Sequence, residues 1–330
     1  MTVGIIGAGL AGLSAANRLS RDGVDSVVFD KARGVGGRTS IRRIFDRTFD
    51  IGAQYFTARS EEFQAQVDDW SRRGIAAVWE APIAVLDREQ PGQPLRNSTD
   101  TTRWIGVPGM NALAKDLRPQ TLHVRTRIGA IDRRGDEWHL RSEGGEAFGP
   151  FSSVVLTLPA PQSVELLASS GLNGSLLPDF EFHPSWAVLV ALDAPLDVPF
   201  GGAFVHGSSL GWIANHRTKP GRGPDEAWVL HATPEWSTAE WETDPEVVCS
   251  RLSEEFFTVV SAEGASVAGL NGHRWRYALA PEPIDDGFLG SAKEGLLFAG
   301  DWAMGGRVEG AYRSGLRVAE AILAAGRAPR

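Results

Sequence analysis

The sequence predicts an α/β protein in which a mostly parallel sheet is interrupted by an inserted second domain of mixed or antiparallel sheet. Three observations carry this. Near the N-terminus VGIIGAGLAGLSAA runs from an apolar stretch through glycines into apolar residues at helical spacing. From residue 186 to 279 the rhythm changes to short apolar strands separated by Pro/Gly loops. At 296–322 the chain returns to an apolar strand, a Gly-Asp turn and a helix with Ala311, Gly315, Val318 and Ile322 along one side.

Residues 3–6 read as a strand that enters a tight turn at Gly7. Gly9 lets backbone approach a diphosphate, Gly12 allows close helix–strand packing, and the helix N-terminus offers free N–H groups and a positive dipole end. Gly7, Ala8, Gly9, Ala11 and Gly12 are therefore candidate diphosphate contacts. The helix stops at Asp22-Gly23, and residues 26–29 form a second strand. It places Asp30 eighteen residues past Gly12, where a carboxylate can accept both hydroxyls of an adenosine ribose. A second glycine pair, Gly36-Gly37, follows, with Arg38 behind it. Nicotinamide-only dinucleotide folds have no need of this element. DKARGVGGR resembles the second flavin element of amine-oxidase-like flavoproteins, which implies noncovalent FAD and adds Lys31, Gly37 and Arg38 to the contacts.

A chain of 330 residues is long enough for about two domains. Its 42% hydrophobic and 22% charged content is that of a globular protein, and a net charge of −8 argues against a nucleic-acid footprint or an anionic membrane surface. No apolar run reaches membrane-spanning length and no basic, cleavable leader precedes the first strand, so a cytoplasmic location is expected. The lone Cys249 excludes a disulfide framework and falls on the apolar side of a helix beginning at Asp244-Pro245. The histidines show no metal-ligand spacing, and neither a metal nor a protein partner is predicted.

Residues 49–57, FDIGAQYFT, return to extended structure around a glycine. A helix is expected over 60–73, with Glu61 and Glu62 in its first turn and Phe63, Val67 and Trp70 on one face. Strand-like pieces at 77–79 and 83–86 lead into a loop over 87–102, and residues 104–110 open a helix through Leu117. Strands at 122–128 and 137–140 are expected to pair around Arg134-Gly135-Asp136. Residues 154–158 read as a buried parallel strand ending at a ligand crevice.

DIGAQYFTAR, WIGVPGM, WIANHRTKPGR, VLHATPEWS and HRWRYALAP resemble segments of the renalases, in order and spacing across nearly the whole chain. The resemblance implies a discontinuous FAD domain (1–64, 106–162 and 288–330) and a substrate domain (65–105 and 163–287). It places Gln54, Tyr55 and Phe56 against the cofactor and Ile128 near the adenine. Asp301 is set on the ribityl or diphosphate portion, and the helix-start amides of Val308 and Glu309 at the flavin's pyrimidine edge. It further implies an oxidase that returns 1,2- and 1,6-dihydro isomers of NAD(P) to NAD(P)⁺ by hydride transfer to flavin N5, with molecular oxygen reduced to hydrogen peroxide.

Hydride transfer requires position more than proton abstraction. Alternation along HRWRY puts His273, Trp275 and Tyr277 on one face, where Trp275 and Tyr277 can wall a flat ring; both also read as core. Trp212, Asn215 and His231 complete the substrate-side candidates, His231 reading equally as a core histidine. Asn215 belongs to a polar, basic loop with His216, Arg217, Lys219 and Arg222 that either meets a substrate diphosphate or is simply solvated. The alternative is an amine oxidase or desaturase of the same fold. Such enzymes often place a lysine near N5, and none of Lys31, Lys115, Lys219 and Lys293 falls in a segment expected over the flavin. A non-catalytic FAD scaffold would leave the second domain unexplained.

Overall fold

The computed structural model describes residues 1–98, 101–280 and 283–327. Its first sheet has six strands in the order Leu289–Ser291, Leu296–Phe298, Ser153–Leu156, Thr2–Ile6, Asp25–Phe29, Thr121–His123. All neighbours run parallel except the first pair. Both faces of the sheet are covered, which is why its central strands are uninterrupted apolar runs. On one face the Leu10–Arg21 and Val308–Arg327 helices pack together. On the other, the helix Ala160–Ser169 and a three-stranded antiparallel sheet (Ile128–Arg134, Glu137–Ser142, Ala147–Phe151) bury Phe29, Leu140, Phe151 and Leu167.

Residues 122–128 do not form one strand. Thr121–His123 belongs to the parallel sheet, Arg125 turns the chain at φ 56° with its amide on the Ala32 carbonyl at 2.8 Å, and Ile128–Arg134 begins the antiparallel sheet. The strand Ala147–Phe151 has no counterpart in the sequence reading because Gly149 and Pro150 lie inside it. The helix Ala160–Ser169 has none either: Pro159-Ala160-Pro161 reads as loop, yet a proline in the first helical turn loses only an amide that has no intrahelical partner. Extended structure ends at Asp50, where Arg47–Asp50 pairs with Ile41–Ile44. Residues 104–117 form a short strand, Trp104–Gly106, before the helix Ala112–Asp116. Within the expected 87–102 loop, Arg96–Asn97 pairs with Ala84 and Val85, and residues 99 and 100 lie outside the described residues.

The second sheet has seven strands in the order Val267–Leu279, His183–Leu192, Ala227–Ala232, Leu210–Asn215, Gly202–His206, Ile83–Asp87, Arg96–Asn97. It is mixed, because Gly202–His206 and Ile83–Asp87 run parallel. Alternation along His183–Leu192 assigns its faces. Trp186, Val188 and Val190 meet Val248, Leu252 and Phe256 of the Pro245–Val259 helix, while Leu189 and Ala191 turn to Phe49 and Ile51. Asp244 caps that helix through the Glu246 amide at 2.8 Å. Among the described residues no helix is long and apolar enough to cross a membrane.

Candidate active site

A cavity of about 1300 Å³ opens between the two sheets, larger than the roughly 300–1,000 Å³ common for a single small-molecule site. Its floor is the paired glycine elements. Gly36 and Gly37 hold φ of 124° and 56°, the Gly36 amide donates to the Ala8 carbonyl at 2.8 Å, and Gly9 and Gly36 form a parallel bridge. A Cβ on Gly9 would meet nothing within 4 Å and one on Gly37 would meet only the Gly9 Cα at 3.4 Å, so bare backbone faces the cavity. Gly12 serves packing instead, since its Cβ would fall 2.0 Å from the Gly7 carbonyl oxygen.

Beside this floor Arg38 pairs with Asp301 and donates to the Tyr277 carbonyl at 3.1 Å. Asp30 accepts the Ala8 and Ala32 amides at 2.7 Å each, which fixes its carboxylate at the end of the second strand. Gly7, Asp30 and Lys31 also line an adjoining cavity of about 330 Å³. Ile128 lies there, beside Phe29 and Leu166, apart from the large cavity. The Val308–Arg327 helix presents Val308 and Ala311 to the large cavity. A bare-backbone floor, an arginine, a carboxylate fixed at the end of the second strand and two helix N-termini fit a dinucleotide.

Aromatic residues form two walls. Tyr55 and Phe204 contact Trp212, with ring centroids at 5.3 and 4.7 Å; Trp212 Nε1 is buried without a hydrogen-bond partner among the described residues. On the same sheet face, three strands along, His273 and Trp275 meet edge to face at 4.4 Å. Trp275 Nε1 donates to the Ile51 carbonyl at 2.8 Å, and His231 Nε2 reaches the same oxygen at 3.4 Å. Burial pushes His231 and His273 down to about 4, with Arg42 adding to the effect on His273, so both imidazoles are neutral at pH 7.

Behind Gln54 lies a buried ionic cluster. Asp50, fully buried, accepts Arg222 Nη2 at 2.6 Å, Lys219 Nζ at 3.3 Å and the Met110 amide at 2.9 Å. Burial would raise the Asp50 carboxyl, but Lys219, Arg222 and His216 outweigh it and hold it well below the usual carboxylate range. Burial lowers Lys219 to about 7 against the opposing pull of Asp50. His216, lowered mainly by burial, is neutral and approaches Gln54 Oε1 at 3.1 Å.

Most predicted site residues come together around the large cavity: Gly7, Gly9, Ala11, Asp30, Lys31, Gly37, Arg38, Gln54, Tyr55, Trp212, His231, Trp275, Tyr277, Asp301 and Val308 line it. Several do not. Ala8 and Gly12 are buried behind its floor, and Phe56 is core, 3% exposed and packed on Phe63. Glu309 is not part of the lining, and its carboxylate, as distinct from the backbone amide expected at the flavin, accepts the Arg59 and Ser60 amides at 2.9 Å each. Asn215 is not a substrate contact: its amide is buried on Glu226 Oε1 at 2.8 Å and its carbonyl caps Arg217. The 215–222 loop is likewise no solvated basic surface, because His216, Lys219 and the Arg222 side chain are buried on Asp50. Gln54 forms part of the wall with its carboxamide spent on Lys219, His216, Asp50 and Gly52. Lys219 thus stands one side chain behind the cavity, in a segment where the sequence reading expected no lysine close to the flavin.

A family model for NAD(P)-binding Rossmann-like domains matches residues 5–70, and one for flavin containing amine oxidoreductases matches residues 87–323. Among solved structures, a putative protoporphyrinogen oxidase from Exiguobacterium sp. 255-15 is similar with a TM-score of 0.73 and 14% identity, over 97% of this chain and 98% of that one. Wild-type putrescine oxidase bound to putrescine is similar with a TM-score of 0.69 and 13% identity, over 98% and 99%. Identities this low speak to the shared fold alone.

Proposed function

Because the chain belongs to the flavin-containing amine oxidoreductase family, and so binds FAD, we propose that it is a renalase-like oxidase of 1,2- and 1,6-dihydro isomers of NAD(P). The charge of the cavity carries this reading. In a chain of net charge −8, the lining includes Lys31, Arg33, Arg42, Arg43, Arg276 and Arg307, against Asp30 and Asp301 as its carboxylates. Such a lining attracts a dinucleotide diphosphate and repels a protonated amine. An amine oxidase, the second reading, draws on the family description and on the putrescine-bound neighbour. It requires a cationic substrate to enter past these arginines.

FAD, when bound, would supply the hydride acceptor and the route by which the electrons reach oxygen as hydrogen peroxide. The protein's part is placement. Tyr55 and Trp212, and Trp275 and Tyr277 further across the same lining, offer aromatic surfaces on which flat rings can pack. Neutral His231 and His273 offer no strong acid or base, as suits a hydride transfer in which no substrate proton is abstracted. Anaerobic mixing of the holoprotein with each dihydro isomer, NADH and putrescine, followed at the flavin absorbance, tests the proposal. Rapid bleaching by the isomers, slow bleaching by NADH and none by putrescine is the expected pattern. Equal or faster reduction by NADH or putrescine would overturn it.

A further inference from the structure

The hairpin of Ile41–Ile44 and Arg47–Asp50 docks on the long edge strand Val267–Leu279. Arg42 is the clip: Nη1 donates to Asn271 Oδ1 and Nη2 to His273 Nδ1 at 3.1 Å. With Nδ1 accepting, the His273 proton resides on Nε2. These two bonds orient the guanidinium and use two of its five N–H groups, leaving three unspent in a half-buried position on the cavity lining. Asn271 and His273 are neutral, so neither compensates the charge. Among the described residues no carboxylate pairs with Arg42 or with Arg33, which lines the same cavity from the 31–36 loop. Arg33 is also close enough to disfavour the charge on Arg42, an effect that adds to that of burial.

Two like charges on one cavity lining, neither paired with a carboxylate among the described residues and one half-buried and oriented by neutral partners, cost stability unless an anion visits them. Arg38, the arginine of the glycine cradle, is by contrast already paired with Asp301. We propose that Arg42, together with Arg33 from the edge of the flavin element, forms an anion site beside the cofactor's diphosphate cradle, which takes a phosphoryl group of the dihydronicotinamide dinucleotide substrate. This rests on the function proposed above. It assigns the substrate's phosphate end to the hairpin side of the cavity and its nicotinamide to the aromatic surfaces, with Trp275 two residues along the strand from His273. The basic loop at 215–222, buried on Asp50, has no part in it.

The FAD-loaded protein is titrated with ADP-ribose, which carries the diphosphate but no reducible ring, by calorimetry and by perturbation of the flavin spectrum. Wild-type protein is expected to bind it, with affinity falling as salt rises, and Arg42→Gln and Arg33→Gln are each expected to weaken binding about tenfold or more. Arg33 is exposed on a loop, so its variant reports on the site even where Arg42→Gln disturbs the hairpin. A parallel series compares reduction of the flavin by a dihydronicotinamide dinucleotide and by the corresponding riboside, which lacks phosphate. The variants should raise KM for the first and leave the second unchanged. No ADP-ribose binding by wild type, unchanged affinity in the Arg33→Gln protein, or equal losses for riboside and dinucleotide would overturn the site. Arginine-dependent ADP-ribose binding with no reduction by any dihydro isomer would uphold the site and overturn the proposed reaction.

Discussion

The Lys219 ammonium donates to the Gln54 carboxamide oxygen at 2.9 Å, so a fully buried cation braces a residue of the cavity wall. The same ammonium lies 3.3 Å from Asp50, which Arg222 also holds. One carboxylate thus serves two cations in a fully buried place, and the consequences for stability are unequal.

Asp50→Asn removes the one carboxylate paired with Lys219 and Arg222 among the described residues, and breaking a buried pair from one side costs about 3–5 kcal/mol. Lys219→Met leaves Arg222 on Asp50 and should cost distinctly less. Denaturant unfolding of the two variants would show the order, and a reversed order would contradict the arrangement.

Titration of Lys219 adds a pH signature. Its folded value of about 7 lies below the ordinary 10.5, so between these limits the unfolded chain binds more protons. Stability should therefore rise with pH from about 7 toward 10, and Lys219→Met should flatten that rise. Asp50 acts at the other end: its carboxyl is depressed from 3.8, so its contribution is present above that value and lost as pH falls below it. Unfolding free energies measured from pH 3 to 10 would test both signs.

Arg38→Ala should weaken FAD binding by roughly ten- to a hundredfold, the range for a charge-assisted contact of about 1.5–3 kcal/mol. It also strands Asp301 beside an anionic ligand. Flavin retention on dilution is the measurement, and unchanged retention would remove Arg38 from the diphosphate site.

Trp275→Ala should slow flavin reduction by the dihydro isomers while FAD stays bound, because Trp275 lines the cavity from the edge strand of the second sheet and not from the glycine elements. Trp275→Phe keeps a ring but loses the bond to the Ile51 carbonyl, so an intermediate rate is expected. Stopped-flow reduction with parallel flavin content separates the two effects.

Gly315→Ala should destabilise the FAD domain by about 1–3 kcal/mol or more. Its Cβ would fall 2.0 Å from Ser14 Oγ and 2.1 Å from the Ala11 carbonyl, and the backbone contact cannot be relieved by a rotamer change. Thermal unfolding would show the shift.

What the sequence made legible was local. Gly7, Gly9, Gly36 and Gly37 announce turns within a few residues of their own strands, and Asp30 and Asp301 follow strands by one and three positions. The helix at Glu61–Arg72 announces itself through Ser60, whose hydroxyl caps the Phe63 amide at 3.3 Å. The errors arose where a partner is distant. Lys219 looks like surface until Asp50, 169 positions away, is seen to hold it, and Asn215 looks available until Glu226 is. Arg42 has no local signature either, because its neighbours Asn271 and His273 arrive from the far end of the chain. The strand at Ala147–Phe151 and the helix at Ala160–Ser169 were hidden by prolines that their positions tolerate.

The six-stranded sheet sets Thr2–Ile6 between Asp25–Phe29 and Ser153–Leu156, and Leu296–Phe298 on the latter, while the Leu10–Arg21 helix rests on Val308–Arg327. During synthesis on a ribosome, the apolar side of that first helix must wait for nearly the entire chain before it is covered. Flavin capture is then a late event, following emergence of the Val308–Arg327 helix. A nascent chain arrested before residue 296 is expected to hold no FAD and to depend on chaperones, whereas one extended through residue 327 should acquire the cofactor spontaneously.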